Sequence, residues 1–220
     1  MLTNFVDLLN LRPSFVVRDP AFLPTPEHKG EDAGADLKAY IEPWTDEAIA
    51  KISKEVGNYL TTCEEQQAPA KTFLNGKEFE FSEKNLLDLT GTDAFDLLAP
   101  YVLKTFDVGF KIALPTSPAL KPFVPVYEIV SRSGLAIKHN VTVVNQPGTV
   151  DAGYRDWVKV GLFNNSEHLH FFTHGARIAQ GLYGLKVDQS LWSAGEVICE
   201  ELPPAKRGEA GFGSTGVETK

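Results

Sequence analysis

Apolar residues along this chain fall mostly in short runs separated by turn formers. Runs at 15–17, 108–114, 124–130, 141–144, 158–163 and 170–172 have the length and spacing of strands in a sandwich or barrel. Turn residues punctuate the junctions: Pro20, Pro24 and Pro26 after the first run, then Pro115, Pro118, Pro122, Pro147-Gly148 and Gly175. No internal repeat is evident.

The pattern changes between 43 and 104, where a helical period takes over. Thr45 followed by Asp46 and Glu47 predicts an N-cap with an acidic first turn, and Ile49, Ile52, Val56 and Leu60 share one helical face. Ser82-Glu83 predicts a second helix through Leu86, Leu87 and Leu89. Phe95, Leu97 and Leu98 predict a third, ended near Pro100. Between them, Asn75-Gly76 with apolar flanks predicts a hairpin over 72–81. The expected organisation is a mainly β core in two pieces, 1–42 and 105–206, interrupted by a mostly helical subdomain with a hairpin at 43–104. A tail at 207–220, with glycines at 208, 211, 213 and 216, is expected to be mobile until it orders on something.

Composition narrows the function. At 220 residues with 43% hydrophobic content the chain can bury one substantial core. No apolar run approaches the ~18 residues of a membrane span. The first ten residues carry Asp7 and no Lys or Arg, unlike a signal peptide. Cys63 and Cys199 have neither metal-ligand nor disulfide-framework spacing, which fits two thiols in a reducing compartment. The net charge of −8 argues against broad binding to nucleic acid, which needs many phosphate-neutralising cations. A small phosphorylated ligand needs only a few local arginines and backbone N–H groups.

The tail offers such groups. Its glycines let the backbone approach an anion, Ser214 and Thr215 add hydroxyls, and Arg207 adds a guanidinium fork. Phe212 is a ring suited to stacking on a flat base. Read alone, the same residues equally describe a disordered Gly/Ser end. Upstream, Arg132-Ser133-Gly134 places an arginine and a hydroxyl before a glycine. Asn145 to Asp151 forms a tight turn ending in a carboxylate, followed by Tyr154 and Arg155. Arg177 and Gln180 follow Gly175, and Asp36 supplies an early carboxylate.

Five such segments in this order resemble the five motifs of the trimeric dUTPases: Ala33-Gly34-Ala35-Asp36-Leu37, Arg132-Ser133-Gly134-Leu135-Ala136, the stretch from Asn145 to Arg155, the one from Gly175 to Gln180, and the tail from Arg207 to Gly216. The resemblance spans roughly 13–41 and 105–216 and leaves the 43–104 segment uncovered. It implies a jelly-roll-like β-barrel and hydrolysis of dUTP to dUMP and pyrophosphate by water attack at the α-phosphate. It implies Asp151 as the catalytic base and magnesium as cofactor, with Asp36 contacting the metal through water. Substrate contacts implied are Arg132, Ser133, Gly134 and Gln180 around the phosphates, and Asn145, Gly148 and Val150 at the uracil. Tyr154 falls under the deoxyribose, Arg207 on the γ-phosphate, Phe212 on the base, and Gly213, Ser214 and Thr215 at the closing tail. It also implies a homotrimer whose sites draw on all three chains, acting in the cytoplasm of a bacterium or of a virus-infected cell, with no nucleic-acid or membrane partner. Gly153, Asp156, Ala176 and Ala210 depart from the family pattern. Two alternatives stand beside this reading. One is a dCTP deaminase, a related family, although Gly161 occupies the place where its glutamate is expected. The other is a dUTP-responsive module that binds a protein partner through 43–104.

Overall fold

The computed structural model describes residues 12–28, 31–43, 45–79 and 94–191. The chain divides into two compact units, Met1–Val187 and Asp188–Lys220. In the second, a short 3-10 turn at Gln189–Leu191 is described, with Ser190 donating from N and Oγ to Asp188 Oδ1.

The first unit runs β1 (Ser14–Val17), β2 (Gly34–Lys38), α1 (Asp46–Glu65), β3 (Thr72–Leu74), β4 (Lys77–Phe79), β5 (Phe95–Leu98), β6 (Leu103–Asp107), β7 (Phe110–Ala113), β8 (Phe123–Ser131), α2 (Ser133–His139), β9 (Val141–Val143), β10 (Gly148–Asp151), β11 (Lys159–Asn164), β12 (Leu169–Thr173) and β13 (Arg177–Val187). The strands form four sheets, ordered β10-β8-β13-β2, β6-β11-β9, β4-β3-β12-β5 and β1-β7. The mainly β architecture expected from the short apolar runs is what the chain adopts.

Two apolar clusters fill the unit. The larger lies among the strands of the β core and includes Leu37, Phe106, Phe110, Tyr127, Leu162, Phe172 and Ile178. The smaller packs Ile52, Val56, Tyr59 and Cys63 of α1 against Phe95, Leu97, Leu169 and Phe171. Strand β12 divides them. Its side chains alternate between faces, so Leu169 and Phe171 enter the smaller cluster while Phe172 enters the larger. Within the core, Tyr127 on β8 leaves no space for a side chain at Gly181 of β13, where an added Cβ would overlap the tyrosine hydroxyl.

Local signals were realised where expected. Thr45 Oγ1 accepts from Ala48 N and starts α1. Asn75 and Gly76 both take positive φ, 51° and 79°, as a type I′ turn between β3 and β4 requires. The Asn75 amide then donates to Thr173 Oγ1 and accepts from Thr173 N, which ties the hairpin to β12.

One expected helix is a strand. Residues 95–98 form β5, antiparallel to β12 in register Phe95–Thr173 to Leu98–His170. A four-residue apolar run has no period of its own, and the open edge of β12 decides it. The helix expected from Ser82 lies outside the described residues. Within 43–104, α1, β3, β4, β5 and the first residues of β6 are described, and β3, β4 and β5 complete the sheet whose fourth member is β12.

His170 is fully buried on β12, and neither ring nitrogen has a hydrogen-bond partner among the described residues. Its ring stacks near Phe73 and Phe172, at 5.1 and 6.4 Å, with His139 5.6 Å away. Burial, reinforced by the neighbouring His139 and His168, lowers its pKa from 6.5 to about 4. His170 therefore folds neutral, and below pH 6.5 the unfolded chain takes up a proton that the folded chain refuses. Stability should be complete above that pH and fall as the pH drops toward 4, by at most about 3 kcal/mol. Calorimetric Tm measured from pH 7.5 to 5 should fall more steeply for the wild type than for His170→Phe, which keeps a flat ring in an aromatic site. Equal slopes would remove His170 as the cause.

Candidate active site

Two groups of predicted site residues are assembled at the sheet β10-β8-β13-β2, and each is built by its strands. The first forms where β8 ends. Ser131 N donates to Gln146 Oε1 at 2.7 Å, and Ser131 Oγ accepts from Val143 N at 2.8 Å. These bonds fasten the turn after β9 to the end of β8. β9 pairs with β11 and β10 with β8, so the chain changes sheets between them.

The sheet change opens a cavity of about 190 Å³ lined by Asn145, Gly148, Thr149, Val150 and Tyr154, with Ile129, Val143, Val158, Lys159 and Val160 completing its wall. Four residues assigned to uracil and sugar contacts thus meet in one place. Gly148 sits close to this wall: an added Cβ would lie 3.3 and 3.4 Å from the amide oxygen and nitrogen of Asn145 and 3.5 Å from Ile129 Cβ.

Asp151 closes β10, opposite Val126. Its side chain is exposed, and among the described residues nothing is hydrogen-bonded to it. The following turn is held from within. Tyr154 N donates to Asp151 O at 3.0 Å, and Arg155 Nη1 donates to the carbonyls of Ala152 and Tyr154 at 2.6 and 2.7 Å. Tyr154 Oη donates to Trp157 O at 2.9 Å, fixing the ring at the cavity wall. Burial, with the charges of Asp156 and Asp107, raises the Tyr154 pKa, which keeps the phenol a donor.

The second group surrounds Asp36 on β2. Its Oδ1 accepts from Arg132 Nε at 2.9 Å and its Oδ2 from Arg177 Nη1 at 3.0 Å. Arg132 Nη1 also donates to Arg177 O at 3.1 Å, and Arg177 reaches Glu27 at 3.2 Å. Gln180 lies beside Asp36 in the β13–β2 register and beside Val130 in the β13–β8 register. Arg132 precedes α2, a short helix whose period the sequence does not announce. Ser133 and Gly134 open it, both exposed, and Asn140 ends it in the left-handed conformation at φ 56°.

Because both Asp36 oxygens are engaged by arginines, direct ligation of a metal does not suit this carboxylate. No cluster of three or more His, Cys, Asp or Glu suited to a metal occurs among the described residues. A hydrated magnesium brought by a triphosphate does fit, since that ion keeps most of its waters and needs few protein ligands. The residues assigned to the closing tail, Arg207, Phe212, Gly213, Ser214 and Thr215, lie outside the described residues.

Within one chain the turn carrying Asn145 is fastened next to Arg132, but Asp151 lies far from the Asp36 group. Asp36 aligns with Gln180 and Val130, while Asp151 aligns with Val126. Three strand spacings across and four residues along place their Cα atoms about 20 Å apart. Ser131 and Gln146, which seat the cavity turn, and Lys159 in its wall were not marked as site residues by the sequence. Gln146 sits inside the third motif, but nothing local reveals that its amide meets a backbone N–H of β8.

A family model described as dUTPase matches residues 90–216. A deoxyuridine 5'-triphosphate nucleotidohydrolase of Desulfotalea psychrophila is 37% identical over 154 residues, 66% of this chain and 95% of that protein. One from Helicobacter pylori is 38% identical over 134 residues, covering 58% and 84%. The structure of a Staphylococcus bacteriophage 80alpha dUTPase with dUPNHPP superposes with a TM-score of 0.54 at 17% identity, covering 94% of this chain and 99% of that one, a likeness of fold. The chain belongs to the dUTPase family.

Asp36 should also carry stability. Asp36→Asn leaves the Arg132 and Arg177 guanidiniums without their shared anion. The urea midpoint should fall by the equivalent of about 1–2 kcal/mol, discounted for the partial exposure of the pair. An unchanged midpoint would show that these ion pairs do not hold the group together.

Proposed function

We infer that this chain hydrolyses dUTP to dUMP and pyrophosphate. The observation that carries the reading is the cavity in which Asn145, Gly148, Val150 and Tyr154 converge one turn from the exposed carboxylate of Asp151. Its volume is below the roughly 300 Å³ at which pockets for drug-sized ligands begin, and it suits a single-ring base. The Asn145 amide presents both the donor and the acceptor that a uracil edge requires. The Tyr154 ring, tied to Trp157 O, leaves a 2′-hydroxyl neither room nor a partner, which favours deoxyribose.

Asp151 takes a proton from the water that attacks the α-phosphorus, and pyrophosphate leaves. Arg132, Ser133, Gly134 and Gln180 hold the phosphates. Arg207, Phe212, Gly213, Ser214 and Thr215 close over γ-phosphate and base. Asp36 would hold the water shell of a magnesium ion chelated by the triphosphate, and that ion would neutralise charge on the phosphate oxygens. The 43–104 segment contributes no residue to this machinery.

Water activation and phosphate holding must act on one substrate, yet their groups lie about 20 Å apart in one chain. This separation supports a homotrimer in which neighbouring chains complete each site. A second observation agrees. Phe123 on β8 and Tyr183, Leu185 and Val187 on β13 are each 43–52% exposed, an apolar strip suited to burial between copies.

Pyrophosphate release from dUTP, dCTP, dTTP and UTP, with and without magnesium, tests the reading; dUTP should be turned over far faster than the others. Release of ammonia from dCTP instead would identify a deaminase. Asp151→Asn should lower kcat for dUTP by about 10²- to 10⁴-fold while nucleotide binding changes little. Turnover near wild type would dismiss Asp151 as the base.

Shared sites predict complementation. Asp151→Asn and Arg132→Ala chains, each inactive alone, should recover about a quarter of wild-type activity when refolded together in equal amounts, by random mixing in a cyclic trimer. Mixtures as inactive as their components would mean that each chain builds its own site.

A further inference from the structure

The strongest unassigned feature is a pair of cations on Trp157, the residue whose carbonyl holds Tyr154. The Arg18 guanidinium carbon lies 4.1 Å from the centre of the Trp157 ring and 4.9 Å from that of Tyr40. Lys111 Nζ lies 4.9 Å from the Trp157 ring. Neither cation belongs to a dUTPase motif. Both come from the paired strands β1 and β7: Lys111 faces Val16 in the register, and Arg18, just beyond β1, donates from its backbone N to Gly109 O at 2.9 Å.

Each cation is held in turn by a carboxylate. Arg18 bridges to Asp107 at 3.2 Å and Glu42 at 3.5 Å, while Lys111 reaches Asp156 at 3.7 Å. Asp156 Oδ1 accepts from Trp157 N at 2.8 Å, and Val158 N donates to Phe110 O at 2.9 Å. The tryptophan is therefore restrained through its ring, its N–H and the next peptide. What remains for its carbonyl is to point at Tyr154 Oη, 2.9 Å away.

We propose that Arg18 is a positioning residue for substrate discrimination: by holding the Trp157 ring it fixes the carbonyl that seats Tyr154 at the cavity wall. Arg18 touches no substrate and acts through two intermediate groups. An indole face attracts a guanidinium more strongly than other rings attract a cation, and a planar guanidinium stacks where an ammonium does not. The chain's acidic residues at 42, 107 and 156 keep both cations in place without neutralising the ring contact. Loosening the clamp lets Tyr154 move away from the sugar, which weakens dUTP binding and relaxes the exclusion of UTP together. The effect on Tyr154 rests on the dUTP reading of the cavity; the clamp itself does not.

The test is a double-mutant cycle with a structural readout beside it. Arg18→Ala should raise KM for dUTP about fivefold, leave kcat within about twofold, and lower the dUTP/UTP preference by a similar factor. Arg18→Lys should recover part of the loss. In a Tyr154→Phe background, which lacks the hydroxyl that meets Trp157, Arg18→Ala should have little further effect. Additive losses, or a fall in kcat with KM unchanged, would overturn the proposal. Amide hydrogen exchange across 152–157 supplies the independent arm. It should quicken in Arg18→Ala and less so in Arg18→Lys, and unchanged exchange would overturn the clamp. If wild-type protein releases no pyrophosphate from dUTP, the functional reading falls and the exchange result alone decides the clamp.

Discussion

The ladder between β8 and β13, running from Ser131–Ala179 to Phe123–Val187, is the constraint from which the described site follows. It can run without interruption because Gly181 leaves room for the buried Tyr127 ring. At one end it delivers Ser131, whose N and Oγ seat the turn carrying Asn145, and sets Gln180 beside Asp36. At the other it presents Tyr183, Leu185, Val187 and Phe123 outward. A slip of one residue would turn each of these side chains to the wrong face. The cavity at Asn145 and the exposed apolar strip are thus two consequences of one register.

The electrostatics follow from the same economy of placement. A chain with a net charge of −8 that handles a polyanion needs its positive charge concentrated. It does this by pairing first. Asp36 holds Arg132 and Arg177 in one orientation before any phosphate arrives, so ordering them costs less when it does. Arg18 and Lys111 are treated alike, each set against a carboxylate and a ring. Asp151 is left without such a partner among the described residues, as suits the proton acceptor proposed for it.

What the sequence discloses is what residues decide locally. The Thr45 cap, the Asn75-Gly76 turn and most β-core strands depend on neighbours a few positions away, and all are legible. The dUTPase motifs are legible for a related reason, since each is a short segment with a fixed order of donors and carboxylates. What the sequence does not disclose depends on distant partners. Residues 95–98 become a strand because β12 offers an edge more than seventy residues later. The turn after β9 joins two sheets because β11 and β8 claim its flanks separately. Arg18 and Trp157 are two unremarkable letters until β1 and β7 bring them together. Asp36, Arg132 and Arg177 were each marked, but their mutual ion pairs are a property of packing.

Within one chain, the base cavity and Tyr154 are complete, while Asp151 stands about 20 Å from the group that holds phosphates. Recognition and chemistry therefore place different demands on assembly. In the proposed site the uracil edge and the deoxyribose meet the end of β8, the turn after β9 and the loop at 151–157, before the tail closes. Under the proposed mechanism, hydrolysis needs in addition the phosphate-holding side chains of a second copy. An isolated chain could hold a deoxynucleoside without cleaving its triphosphate, and activity would appear only as copies associate, with the concentration dependence that association imposes. The apolar strip on β8 and β13 then has a catalytic consequence although it touches no substrate. In the proposed trimer, burying it would bring an Asp36–Arg132 group within reach of another chain's Asp151.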